Sequence, residues 1–220
     1  MRQQKFTEDR DRLLLAMLPH VLFDGWSKKA LTAGQNDLDG DAPDAQLLYP
    51  GGLKEVAKNF GEYMDRQMLA ELAELDLEKM PVREKIATGI QIRLQLLVPY
   101  REPLRRLLTF LALPGNHFTG MQITAQTVDT IWHAIGDTST DFNYYTKRGL
   151  LAGVYGSTIL YWLADNSDDF ADTHDFLDRR IADVLKIPKI QSKIERRLKQ
   201  VIAPLRRLQR RASAKPLGPS

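Results

Sequence analysis

The chain has 220 residues, of which 43% are apolar, enough to bury a core, and a net charge of +3. It contains no cysteine, which excludes disulfides, thiolate zinc sites and thiol nucleophiles. The charge is unevenly placed. From Lys186 onward eleven Lys or Arg face Glu195 alone, while the first 185 residues hold 20 basic and 27 acidic side chains. An acidic body with a basic tail suits an anionic partner for the tail.

The first ten residues alternate acidic and basic side chains and lack an apolar core, so they read as neither a signal peptide nor a transit sequence. A soluble, cytoplasmic protein is expected. Thr7 can cap a first helix, in which Leu13, Leu14, Met17, Leu18, Val21 and Leu22 follow the helical period, with a kink at Pro19 and an end at Gly25. Ser27 caps a short helix to about Gly34. A loop follows with one helical turn over Pro43 to Tyr49. These proportions are those of a helix-turn-helix, but from Gly34 to Gly52 there are four aspartates (Asp37, Asp39, Asp41 and Asp44) and no Lys or Arg. A polyanion would repel such a surface, so no specific nucleic acid is expected here.

An amphipathic helix spans about Leu53 to Leu75, with Val56, Phe60, Tyr63, Met64, Met68, Leu72 and Leu75 on one side. Another runs from about Pro81 to Leu97 on the stripe Ile86, Ile90, Leu94 and Leu97. Pro99 interrupts, and Glu102-Pro103 opens a helix through Leu111. After the turn at 114–116 a helix covers about Thr119 to Ile135 and stops at Gly136. A further helix spans about Phe142 to Ala164, uncharged from Gly149 onward. Its sixteen uncharged residues fall short of the roughly 20 that a membrane span needs, so it reads as a buried helix. Ser167 or Asp168 caps a helix from Asp169 to about Leu185, with Phe170, His174, Leu177, Ile181 and Leu185 on one face. No strand is expected.

Beyond Pro188 a last helix places Ile190, Ile194, Leu198, Val201, Ile202, Leu205 and Leu208 on a continuous apolar stripe. Lys193 and Arg197 lie among the cations of its other faces. A cationic amphipathic helix of this kind lies on an anionic membrane surface. The same stripe could instead pack on the body or on a second subunit, and the cations could meet nucleic acid. Membrane contact is the reading adopted, through Ile190, Lys193, Ile194, Arg197, Leu198, Val201, Leu205 and Leu208.

Catalytic constellations are missing from the sequence. None of His20, His117, His133 and His174 follows a Glu by three positions, no two are four apart, and Ser157 lacks the glycine frame of a nucleophile elbow. His133 beside Trp132 reads as a structural histidine, Asp137 as a turn residue and Asp141 as a helix cap. No catalytic residue, metal ligand or cofactor is assigned. Gly149, Gly153 and Gly156 bring small residues to one side of their helix, where another helix or a long apolar ligand can approach the backbone.

The run from Trp132 to Arg148 joins that helix to the one before it, and it reads W-H-x-x-G-D-x-S-T-D-F-N-x-Y-T-x-R. This pattern resembles the ubiquinone-biosynthesis accessory protein family, the ninth of the Coq series. Looser likeness runs from His20 through Asp24-Gly25-Trp26 and Tyr49-Pro50-Gly51-Gly52 to the segment 169–181. The resemblance implies an all-α, TetR-like fold with a degenerate N-terminal helix-turn-helix, a lipid cavity and a C-terminal amphipathic helix. It implies a non-enzymatic homodimer that binds phospholipid or polyprenyl quinone intermediates and presents them to the di-iron demethoxyubiquinone hydroxylase. Lipid contact is expected at Arg148, Gly149, Gly153, Tyr155 and Gly156, and hydroxylase contact at Asp129, Ile131, Tyr144, Tyr145 and Arg148. The family commonly has Trp-Tyr where this chain has Tyr144-Tyr145. The chain thus divides into a degenerate helix-turn-helix region at 1–50, a lipid-binding and dimerisation domain at 51–187, the membrane-contacting helix at 188–211 and a disordered tail at 212–220. The expected location is cytoplasmic, peripheral on the inner face of a bacterial inner membrane. A TetR-like, ligand-responsive transcription regulator is the alternative.

Overall fold

A computed structural model describes residues 2–38, 44–136 and 142–184. Helices α1 (Arg2–Asp24), α2 (Lys28–Asn36) and α3 (Ala45–Leu48) form one end. They are followed by α4 (Leu53–Ala73), α5 (Val82–Leu97), α6 (Arg101–Ala112), α7 (His117–Ala134), α8 (Phe142–Ala164) and α9 (171–184). No strand occurs among the described residues. The last expected helix and the tail, 188–220, lie outside them, as do the eight residues assigned to the membrane.

The apolar stripes read from the sequence point inward. Leu13, Leu14, Met17, Leu18 and Val21 of α1, then Val56, Phe60, Met64, Met68 and Leu72 of α4, are buried in one core with Ile86, Ile90, Leu94 and Leu97 of α5. The stripe loosens where each helix leaves the core: Leu22 and Leu75 are exposed. Pro19 does not break α1, which stays helical through Asp24 because Met17, Leu18 and Val21 hold both sides of it in the core. Gly25 then ends the helix at φ +65°.

The N-terminal end is closed by contacts that leave no slack. Ser27 accepts from the Ala30 N–H at 3.2 Å as the cap of α2. Gly34 lies so close to α1 that a Cβ there would stand 2.5 Å from Met17 N. The buried Tyr49 donates its hydroxyl to the Arg10 carbonyl at 2.6 Å and accepts from Asn59 Nδ2 at 3.0 Å, tying α1, α3 and α4 together. Gly52 turns the chain into α4 at φ +64°, and Trp26 packs edge-on against Phe60 with centroids 6.1 Å apart. In the helix-turn-helix position, α3 is a single turn of four residues capped by Asp44.

Asp165 organises the turn from α8 to α9. One oxygen accepts from the Ser167 N–H at 2.8 Å and its hydroxyl at 2.7 Å. The other accepts from the Thr173 N–H at 2.9 Å and its hydroxyl at 2.5 Å. Burial pushes the Asp165 carboxyl up, but these four donors outweigh it and hold the carboxyl at about 2. Ser167 caps the helix as expected, accepting from the Asp172 N–H at 3.1 Å. The helix begins later than Asp169 because Asp169 and Phe170 take left-handed backbone angles, φ 51° and 57°.

Candidate functional site

Helices α4 to α8 pack on one another without filling the space they enclose. Between them lies a cavity of about 1110 Å³, at the upper edge of the range usual for sites that take small molecules. Leu97, Leu104, Leu107, Leu111, Val128 and Ile159 give it an apolar wall. The exposed Met121, Tyr145 and Leu160 border its open side. The glycines of α8 keep that side wide: a Cβ added at Gly149 or Gly156 would meet nothing within 4 Å.

One charged group is sunk into this apolar wall. Arg93 of α5 is 3% exposed and pairs with Asp65 of α4. Its Nε donates to Tyr155 Oη of α8 at 2.7 Å and its Nη2 donates to the Gly61 carbonyl at 3.4 Å. Thr127 of α7 donates to the second Asp65 oxygen at 3.4 Å. A buried guanidinium is tolerable only with such partners around it. Burial pushes the Asp65 carboxyl up, opposed chiefly by Arg93. It pushes the Tyr155 phenol up too, against the same guanidinium.

Nearer the opening, Arg148 Nε donates to Asp129 Oδ1 at 2.6 Å, and His133 lies 3.3 Å from the other carboxylate oxygen. Arg148 and Asp129 both line the cavity. Among the described residues no group of three His, Cys, Asp or Glu could hold a metal ion. No described helix is long and apolar enough to cross a membrane.

The structure gathers four of the five residues expected at a lipid, Arg148, Gly149, Tyr155 and Gly156, onto the cavity lining. Gly153 is exposed and lies outside that lining. Of the expected partner-facing set, Tyr145 is exposed and Asp129 and Arg148 pair with each other. Ile131 is corrected: it is fully buried, and its side chain lies 3.6 Å from where a Cβ on Gly89 of α5 would stand. It belongs to the core rather than to a docking face. Tyr144 lies in α8, and its side chain is outside the described residues. Arg93, Asp65 and Thr127 were not anticipated, although Arg93 falls one turn after Gly89 and beside Leu94 on the stripe that the sequence marks as buried.

Residues 118–188 match the sequence model of the COQ9 family. The chain is 35% identical over 184 residues to the mitochondrial ubiquinone biosynthesis protein COQ9 of Xenopus tropicalis, covering 80% of this chain and 57% of that protein. It is 32% identical over 183 residues to the mitochondrial COQ9 of Homo sapiens, with coverage of 80% and 57%. The chain therefore spans little more than half the length of these relatives. Among solved structures it shares its fold with the TetR transcriptional regulator from Nitrosomonas europaea: the TM-score is 0.64 at 19% identity, covering 80% of this chain and 97% of that one. At that identity the likeness is of fold alone, and it makes this an all-α, TetR-like chain. The family resemblance carried by the run 132–148 is borne out. The expected bacterial, cytoplasmic location is not, since these relatives are named mitochondrial. That expectation had rested on the composition of the first ten residues, which speak only for the span they cover.

Proposed function

Because residues 118–188 carry a COQ9-family domain, we propose that this protein serves ubiquinone biosynthesis as a non-enzymatic lipid-binding accessory. The single observation that supports this most is the apolar cavity of about 1110 Å³ among α4 to α8. Burial in such a space is worth about 25 cal/mol for each Å² of apolar ligand surface, so a prenyl chain is a natural occupant. In this reading a polyprenyl quinone intermediate sits in the cavity, and the exposed Tyr145 beside the Arg148–Asp129 pair forms part of the face that docks the di-iron demethoxyubiquinone hydroxylase. The protein acts as a homodimer held at an anionic membrane by its basic C-terminal stripe.

A reader of DNA is the poorer reading. The recognition position holds a single turn, Ala45–Leu48, with Asp44 as its cap and no cation, so nothing there suits a polyanion.

Native mass spectrometry of protein purified from cells tests the proposal. Phospholipid or isoprenoid is expected to travel with the intact chain. Protein that emerges empty through several gentle detergents would overturn it.

A further inference from the structure

Among the described residues, one hydroxyl proton of the cavity lining has no acceptor. Tyr155 is 8% exposed, and its oxygen accepts from Arg93 Nε at 2.7 Å. The guanidinium occupies the lone-pair side of that oxygen, so the O–H is turned away from it. No oxygen of the described residues accepts this proton. The oxygens beside Arg93 take other donors: Asp65 receives Arg93 and Thr127, and the Gly61 carbonyl receives Arg93 Nη2. The phenol keeps its proton at neutral pH, since burial pushes its ionisation up even against Arg93. A charged donor feeding into an oxygen also polarises that oxygen's own O–H and strengthens it as a donor. Buried donors ordinarily find partners, and this one belongs to a side chain that lines the cavity.

The surroundings define the partner. Arg93 and Asp65 neutralise each other, so the site has no net positive charge with which to hold a phosphate or a carboxylate. A neutral oxygen acceptor fits. The open side, by contrast, is bordered by Met121, Leu160 and the backbone of Gly149, which offer an apolar chain a way out.

We propose that Tyr155 is the head-group contact of the cavity: it donates a hydrogen bond to a carbonyl oxygen of a quinone-type ring that enters ring-first, with the prenyl tail leaving past Met121 and Leu160. Arg93 and Asp65 are positioning residues that orient and polarise this hydroxyl. The inference rests on the reading that the cavity holds a prenylated ring. It adds the direction of insertion, under which the far end of a long tail stays outside the protein.

The test uses the full chain and two probes with the same tail: a benzoquinone bearing a decyl chain, and decylbenzene, which has no oxygen. Affinities are measured for the wild type and for Tyr155→Phe. The wild type is expected to bind both. Tyr155→Phe is expected to weaken the quinone roughly five- to tenfold, the worth of one neutral hydrogen bond, and to leave decylbenzene unchanged. Equal affinity of both proteins for the quinone overturns ring-first insertion while leaving the cavity reading intact. Failure of the wild type to bind either probe overturns the cavity reading itself. A second measurement needs no variant: the infrared carbonyl stretch of the isotope-labelled quinone shifts to lower frequency on binding wild-type protein. A stretch matching that in hexane overturns the proposal.

Discussion

Two buried tyrosines of this molecule differ in how many of their bonds are complete. Tyr49, among α1, α3 and α4, both donates and accepts inside the protein. Tyr155, among α4, α5 and α8, accepts from Arg93 and donates to nothing described. The same contrast holds for the helices around them. Around Tyr49, α2 presses on α1 so closely that Gly34 has no room for a methyl group. Around Tyr155, α4 to α8 pack together but leave between them a cavity that the glycines of α8 keep open. Completed hydrogen bonds and closed packing make a region structural. Unused valence beside empty volume makes it a candidate for binding.

The largest effect expected from breaking this contrast lies in the cavity's ion pair. Asp65→Ala leaves the Arg93 guanidinium buried without its counter-charge, at a cost of roughly 3–5 kcal/mol. Asp11→Ala removes the partner of Arg66 on α4, but Arg66 is 39% exposed and water can replace that partner, so the loss costs roughly 1 kcal/mol. Urea unfolding of the two variants beside the wild type reads both. A cost for Asp65→Ala as small as that of Asp11→Ala would mean that water already reaches Arg93.

Next in size is Asp165, whose carboxylate, like the Tyr49 hydroxyl, has its bonds completed inside the protein. Its carboxyl ionises at about 2 instead of 3.8. The folded state is therefore favoured by the charged form, by roughly 1–2 kcal/mol after solvent screening. Because the folded value is lowered, that contribution is complete above pH 4 and is lost as the pH falls toward 2. Asp165→Asn should be less stable than the wild type by about that amount at pH 6, with the gap narrowing below pH 4 and vanishing near pH 2. A gap that stays constant from pH 6 to pH 2 would show that the amide's geometry, not the lost charge, sets the cost.

What could be read from the chain follows the same division. The helices were legible because their apolar residues recur with helical period and their ends carry Ser27, Gly25 and Gly136, each placed where a helix begins or stops. The glycines of α8 were legible as small residues on one side, but sequence could not separate a seam for a packed helix from an open wall. Only the open space within 4 Å of a Cβ at Gly149 or Gly156, among the described residues, does that. Arg93 and Asp65 were passed over because a charge next to an apolar stripe reads as its solvated edge. Register held the clue: Asp65 follows Met64, Arg93 precedes Leu94, and all four side chains are buried. Asp165 carries no local signal because its partner Thr173 lies eight positions on, beyond the reach of a cap pattern. Ile131 was carried to a docking face by resemblance, although its place four residues before Ile135 already put it with the buried side of α7.

The smallest expected effect is also the most direct comparison of closed with open packing. Alanine at Gly34 drives a Cβ to 2.5 Å from Met17 N and 2.7 Å from its Cα. Backbone cannot step aside as a side chain can, so α2 has to lift from α1, at about 2 kcal/mol. Alanine at Gly153 meets nothing within 4 Å and sits inside a helix. There it removes the extra backbone freedom that glycine has when unfolded and stabilises the protein by about 0.5–1 kcal/mol. The two variants should thus move the thermal midpoint in opposite directions, Gly34→Ala down and Gly153→Ala up. Gly153 is the informative choice because it lies outside the cavity lining, so its change leaves ligand space untouched. If Gly153→Ala lowers the midpoint as Gly34→Ala does, the exposed face of α8 is packed against something in solution. A second copy of the chain is the first occupant to look for, by repeating the melt across a range of protein concentrations.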